Sequence, residues 1–183
     1  MENIYGKIIN IILVNLKIKL FYYSNGNILY EGDWINDKIE GNGKCIGKDG
    51  IYYIGEHKND YPNGKGIVYY LNGNILFEND WINGKIEGNG KYINEDGGYY
   101  IGQWKNDLFH GKGILYYSNR NILYKGDYIN GKIEGNGKYI FEDGKYYIGQ
   151  WKNDLFHGKG ILYYKNGKII KKGKWIKNKF KGI

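Results

Sequence analysis

The 183-residue chain has little of what punctuates or staples most folds: one proline (Pro62), one cysteine (Cys45) and one methionine. A single cysteine excludes an intrachain disulfide framework and a cysteine-rich zinc site, so nothing ties the chain to an oxidising compartment. Long apolar runs are missing too. The longest, Ile8 to Leu16, is broken by Asn10 and Asn15 and falls short of the about 18–20 residues a membrane span needs. The Lys17-Ile18-Lys19-Leu20 stretch after it offers no small-residue cleavage site for a secretory signal. The run is expected to form a buried or edge strand. The protein is expected to be cytoplasmic, peripheral at most to a membrane or a cytoskeletal structure. A sustained 3.6-residue apolar period is also lacking, so essentially no helix is expected.

What the chain does have is glycine (30) and tyrosine (21). That much aromatic surface excludes a disordered polar chain, and the glycines do not follow a collagen-like three-residue period. The net charge of +8 is local. Lys165, Lys168, Lys171, Lys172, Lys174, Lys177, Lys179 and Lys181 close the chain with no carboxylate among them, which leaves 19 basic and 19 acidic residues before them. A charge-balanced body lacks the interleaved cations of a single-strand stacking platform, so nucleic acid is not an expected partner.

Internal repetition organises the rest. YIGQWKNDLFHGKGILYY starts at Tyr100 and again at Tyr147, and GKIEGNGKYI starts at Gly84 and again at Gly131, both 47 residues apart. Each 47-residue block holds two related units, which gives six: 30–52, 53–76, 77–99, 100–123, 124–146 and 147–170. Residues 1–29 read as a degenerate partial unit and 171–183 as a lysine-rich half-unit forming the C-terminal edge. Turn dipeptides such as Asn36-Asp37, Asp49-Gly50 and Asn59-Asp60 recur at alternating spacings of 13 and 10 or 11 residues. Asn and Gly accept the positive φ of two-residue hairpin turns, and between them lie runs of Tyr, Ile, Trp and Leu with strand character. The fold class expected is all-β: a single-layer, twisted antiparallel meander. Alternation puts Tyr30, Gly32 and Trp34 on one face, with Gly41 and Gly43 of the next strand.

YEGDW at 30–34, YIGQW at 100–104 and 147–151, HGKG at 110–113 and 157–160, and the Asp-Gly turns resemble the MORN (membrane occupation and recognition nexus) repeat family. The resemblance runs in phase through six units. Departures are Asn79 in place of a unit glycine, His57 in place of an aromatic, and Glu40, Glu87 and Glu134 where the family has His. The resemblance implies a curved, open half-pipe sheet serving as a binding or scaffolding module for protein partners or acidic phospholipids, in some cases as a homodimer.

The residues themselves offer little chemistry. Ser24 and Ser118 sit at turns without a nucleophile-elbow context. Cys45 stands where Tyr92 and Tyr139 stand and reads as a packed thiol, and His110 and His157 as structural. Glu40, Glu87 and Glu134 recur every four strands, about 19 Å apart at about 4.8 Å per strand, too far to share a proton or a metal. No catalytic, cofactor or metal site is expected, and the chain reads as non-enzymatic. The candidate partner-binding face is the aromatic one, Tyr30, Trp34, Trp81, Tyr100, Trp104, Tyr124, Tyr147 and Trp151. The eight terminal lysines are candidate acidic-lipid contacts and, alternatively, protection of an edge strand. A second copy of the chain, paired at a terminal edge strand, is the remaining candidate partner.

Overall fold

A computed structural model of the chain describes residues 18–182. The Ile8 to Leu16 run, and with it the expectation of an edge strand there, lies outside the described residues. Fifteen strands follow one another: β1 (Ile18–Tyr22), β2 (Ile28–Ile35), β3 (Lys38–Ile46), β4 (Tyr52–Lys58), β5 (Tyr61–Tyr69), β6 (Ile75–Ile82), β7 (Lys85–Ile93), β8 (Tyr99–Lys105), β9 (Leu108–Tyr116), β10 (Ile122–Ile129), β11 (Lys132–Ile140), β12 (Tyr146–Lys152), β13 (Leu155–Tyr163), β14 (Ile169–Ile176) and β15 (Lys179–Gly182). Strand order follows the chain without a crossover, and no helix occurs among the described residues. The protein is all-β and antiparallel. Two compact units divide it, residues 1–87 and 88–183, called here units 1 and 2.

Two kinds of turn alternate, where the dipeptides alone predict only the two-residue kind. At Asn36-Asp37, Asn59-Asp60, Asn106-Asp107 and Asn153-Asp154 both central residues have φ between +48° and +72°, the geometry of a two-residue turn that matches strand twist. The other kind is a three-residue loop. Tyr23 N–H donates to the Asn27 carbonyl (2.8 Å), Gly26 takes φ +86°, and the Asn25 side chain accepts the Asn27 N–H (3.0 Å). The same Asx contact recurs at Asp49, Asn72, Asp96, Asn119, Asp143 and Asn166. The wider loop needs only one left-handed residue, which is why glycine follows Asn or Asp there in every case but Arg120.

The two-residue turns also tie neighbouring hairpins together. Asp60 accepts the Ile39 N–H (2.8 Å) and Asp154 the Ile133 N–H (2.7 Å). Glu40 accepts the Asn59 N–H (3.0 Å) and Glu134 the Asn153 N–H (2.8 Å). These glutamates cap turns, a structural use that accounts for their repetition.

The two glycines of each Gly-x-Gly do different jobs. The second lies beneath a tyrosine ring: a Cβ on Gly43 would come 2.4 Å from the Tyr30 hydroxyl, and one on Gly160 would overlap the Tyr147 ring. The first does not share that face, contrary to simple alternation. Gly41 (φ +67°) and Gly135 (φ +66°) sit where the ladder slips by two residues, and a Cβ there would meet the side chain of Asp33 or Asp127 instead. The slip is a β-bulge, which on β11 leaves Gly135 and Asn136 out of the ladder between Glu134 and Gly137.

Candidate functional site

The bulge is held by the residue just before the Trp or its equivalent. Asp33 accepts the Asn42 N–H (2.9 Å), Glu56 the Lys65 N–H (3.0 Å), Gln103 the Lys112 N–H (2.9 Å), Asp127 the Asn136 N–H (2.9 Å) and Gln150 the Lys159 N–H (2.8 Å). Only an acceptor-bearing side chain serves, so Asp, Glu and Gln interchange. The sequence reading missed this role, although the recurrence of acceptors at one register was its visible signal.

Inside the bulge lies the aromatic core. In five of the six repeats a tyrosine curls over the glycine row and donates to the carbonyl three residues on: Tyr30 to Asp33 (2.8 Å), Tyr53 to Glu56 (2.9 Å), Tyr100 to Gln103 (2.9 Å), Tyr124 to Asp127 (3.2 Å) and Tyr147 to Gln150 (3.1 Å). Indole N–H groups donate to the second glycine of a neighbouring strand, as Trp151 does to Gly137 (3.3 Å) and Trp175 to Gly160 (3.1 Å). Burial pushes the phenols up, Tyr147 to about 12 and Tyr30, Tyr53, Tyr100 and Tyr124 further, because the phenolate would have no water around it.

This geometry decides what the candidate aromatic face offers. Tyr100, Tyr124 and Tyr147 are 0 % exposed, Tyr30 2 %, and Trp104 and Trp151 6 %. Those six rings are core, packed edge-on or stacked on one another, as in the 3.9 Å stacks of Tyr100 on Phe109 and Tyr147 on Phe156. They offer no surface to a partner in this fold. Trp34 and Trp81 alone of the eight keep intermediate exposure, and Trp34 is covered in part by Phe21 at 4.4 Å.

In unit 1 the aromatic set is broken at one place. Cys45, His57 and Pro62 stand where unit 2 has Tyr139, Trp151 and Phe156. Cys45 Sγ lies 3.3 Å from His57 Nε2, and His57 Nδ1 lies 3.1 Å from the Gly55 carbonyl oxygen. A carbonyl only accepts, so Nδ1 carries the proton and Nε2 receives the thiol hydrogen. Burial pushes the Cys45 thiol up to about 11 and pulls His57 down, the latter against its bond to Gly55. Both groups are therefore neutral near pH 7. A neutral thiol is a poor nucleophile, and no group of three or more metal-ligating side chains exists among the described residues. The pair is a packed one.

All eight terminal lysines are exposed. They are not gathered on one face. Lys165 and Lys168 lie in the loop before β14 and Lys177 in the turn after it. Lys171 shares a face with Trp175, its ammonium 5.6 Å from the Phe180 ring centroid, while alternation puts Lys172 and Lys174 on the other face.

That other face carries a row the sequence reading did not single out. In unit 2, register aligns Lys91, Ile101, Ile114, Lys125, Lys138, Ile148, Ile161 and Lys172 across eight consecutive strands. Beside it runs a groove of about 670 Å³ whose lining includes Ile101, Lys112, Ile114, Lys125, Lys138 and Ile148. In unit 1 the corresponding row reads Leu20, Glu31, Lys44, Ile54, Ile67 and Glu78. Partial burial of Asp127 opposes its charge, but the Lys112 ammonium and the Asn136 N–H outweigh that and hold the carboxyl below its usual range.

An antiparallel hairpin meander whose repeats spend an aromatic ring, a bulge acceptor and a glycine row on their own fold defines a class of tandem β-repeat. The model of the MORN repeat matches six times, at residues 30–52, 53–75, 80–99, 100–122, 124–146 and 147–169. The chain belongs to the MORN repeat family. Among solved structures it is similar to the TCP domain of SAS-4 (dCPAP) from Drosophila melanogaster, solved in complex with a proline-rich motif of Ana2 (dSTIL). Identity is 14 %, coverage 92 % of this chain and 90 % of that one, and the TM-score 0.49. It is also similar, more distantly, to a protein of unknown function from Bacteroides caccae at 12 % identity, 86 % and 77 % coverage and a TM-score of 0.22.

Proposed function

We propose that the chain is a non-enzymatic scaffold of the cytoplasm, one that binds protein partners through the repeat-built face opposite its aromatic core. One observation carries this reading. The polar groups of the repeat pattern are largely consumed by the fold, as bulge acceptors, turn caps and tyrosine bonds, while an ordered row of isoleucines is left in solvent. In unit 2, Ile101 and Ile148 are 45 % and 44 % exposed at equivalent positions of successive 47-residue blocks, a regular apolar presentation of the kind repeat proteins use for recognition. The family's common use as an interaction module agrees with it.

The test is affinity capture on the immobilised full chain, beside the double variant Ile101→Asp, Ile148→Asp. Both positions are exposed, so the variant is expected to keep the parent's melting temperature. Partners held through moderate salt by the parent and lost by the variant support the reading; equal capture by both sinks it. A second reading, docking to acidic phospholipid, is supported by the exposure of all eight terminal lysines. It predicts co-sedimentation with acidic but not neutral vesicles, lost as salt screens the charges.

A further inference from the structure

Lys125 and Lys138 stand directly opposite one another on β10 and β11. Like charges in that relation repel. The chain shows what the lattice otherwise puts there: 47 and 94 residues earlier the position of Lys125 is held by Glu78 and Glu31, and Glu31 faces Lys44. Unit 2 replaces that glutamate by lysine and supplies no carboxylate in exchange. Asp127, on the same strand as Lys125, is bonded to Lys112 and to the Asn136 N–H. Lys138 lies 4.4 Å from the Tyr146 ring centroid, a contact that leaves its charge intact. Two exposed lysines thus line the groove, with the Ile101–Ile114 pair on one side of them and, on the other, Ile148 of the groove and its cross-strand partner Ile161.

We propose that this groove of unit 2 binds an acidic segment of a protein partner. Its carboxylates would sit between Lys125 and Lys138, and apolar side chains on either side would rest on the two isoleucine pairs. The proposal rests on the scaffold reading above and adds the place and the chemistry. Apolar, cationic and apolar pairs succeed one another at two-strand intervals, about 10 Å. That is three residues of an extended chain at about 3.1 to 3.4 Å each, so the fitting segment alternates apolar and acidic residues at every third position. A recessed groove between two side-chain rows accepts a rod-like chain; a bilayer surface is flat and meets only the protruding ends.

The probe is a fluorescein-labelled peptide with leucine, aspartate and leucine at every third position of a serine background, titrated by anisotropy against the full chain. Saturable binding is expected, weakened about tenfold when asparagine replaces aspartate and about tenfold in Lys125→Glu and in Lys138→Glu. Lys125→Glu copies what the first two blocks already hold, so it is expected to fold, and to melt slightly higher than the parent because the repulsion is relieved. Lys168→Glu, in a loop away from the groove, is expected to bind as the parent does. No saturable binding, equal binding of the asparagine peptide, or equal binding by Lys125→Glu would overturn the proposal. A lower melting temperature for Lys125→Glu would do the same, by making Lys125 structural. Lys125-dependent binding to vesicles of phosphatidylserine, without peptide binding, would replace the occupant by lipid and overturn it as well. If partner capture survives Lys125→Glu but not the double isoleucine variant, the groove assignment fails while the scaffold reading stands.

Discussion

Units 1 and 2 are built on one register and differ where that register is most crowded. Unit 2 fills the space beside the tyrosine with Tyr139, Trp151 and Phe156; unit 1 puts Cys45, His57 and Pro62 there, three reductions in volume at three contiguous positions. Unit 2 pairs Tyr124 with Gly126. Unit 1 has Phe77 and Asn79 at the corresponding places, and a Cβ on Gly126 would lie 2.3 Å from the Tyr124 hydroxyl, which explains why the side chain of Asn79 enters only where the hydroxyl has gone. Both changes come as sets of neighbouring residues. A close-packed interior transmits strain, and a core one ring thick has no second layer to absorb it. At these places the aromatic core varies in sets of neighbouring residues, whereas the solvent face changes charge from Glu31 and Glu78 to Lys125 and Lys172.

The hardest blow to this picture comes from adding a side chain to the glycine row. Gly149→Val would put Cβ 2.5 Å from the Gly160 Cα and 2.5 Å from the Tyr147 hydroxyl. Neither neighbour retreats easily, one being backbone and the other pinned to Gln150. A loss of at least about 3 kcal/mol in denaturant unfolding is expected. The matching change in unit 1, Asn79→Val, is expected to stay within about 1 kcal/mol of the parent. Asn79 is 5 % exposed and neither of its amide atoms has a hydrogen-bond partner, so valine removes a buried, unsatisfied group. Equal effects at the two positions would mean that the units do not differ in the way described.

The coupling between tyrosine and glycine is open to a double-mutant cycle. Tyr147→Phe alone removes the bond to the Gln150 carbonyl and should cost about 1–2 kcal/mol. Gly149→Asn alone should cost about as much as valine does. Together they reproduce the Phe77 and Asn79 pair of unit 1, and the double variant is expected to be at least about 1 kcal/mol better than the sum of the singles. Additivity would refute the exchange of hydroxyl for amide.

Much of this lattice is legible in the residues alone. The 47-residue repeat, the Asn-Gly and Asp-Gly turns and the paired aromatics lead to an antiparallel meander and to the family, because turn chemistry and periodicity are local properties that a string of residues carries intact. What the string hid depends on register. The bulge flips Gly41 away from the ring that Gly43 lies beneath, so period-two alternation misassigns it. The same alternation makes the aromatics a face without saying that their own rings fill it, and hence Tyr100, Tyr124 and Tyr147 are core. The cross-strand meeting of Lys125 with Lys138 joins residues 13 apart in sequence and is visible only once the ladder is known.

The Cys45–His57 pair gives unit 1 a chemical signature that unit 2 lacks. Unfolded, the thiol loses its proton near the ordinary value of 9.0; folded, it holds it to about 11. Between those values the unfolded state binds fewer protons, so stability falls as pH rises. The decline is expected from about pH 9, and Cys45→Ser should flatten its first part while leaving the steeper loss above pH 10, where the buried tyrosines of both units begin to contribute in the same direction. Iodoacetamide at pH 8 should label the native thiol on the order of a hundredfold more slowly than the unfolded one, the ratio of thiolate fractions for a two-unit difference. Native labelling as fast as unfolded would mean that the pair is open and ionised.

The smallest effect expected is also the cleanest comparison of like with like. Seven three-residue loops share one geometry, and six of them place glycine at the left-handed position: Gly26, Gly50, Gly73, Gly97, Gly144 and Gly167, with φ between +81° and +86°. The loop of unit 2 between β9 and β10 has Arg120 there instead, at φ +68°. Its backbone bonds are otherwise the same, Arg120 N–H to the Tyr117 carbonyl at 3.0 Å and Tyr117 N–H to the Asn121 carbonyl at 2.9 Å. An L-side chain in that region costs about 1–2 kcal/mol, and glycine gives back part of the gain through the greater freedom of its unfolded chain. Arg120→Gly is therefore expected to stabilise by about 0.5–1 kcal/mol in denaturant melts. The reverse change in unit 1, Gly73→Arg, where a Cβ meets nothing closer than 3.9 Å, should destabilise by a similar amount, since space is available there and backbone conformation alone is at stake.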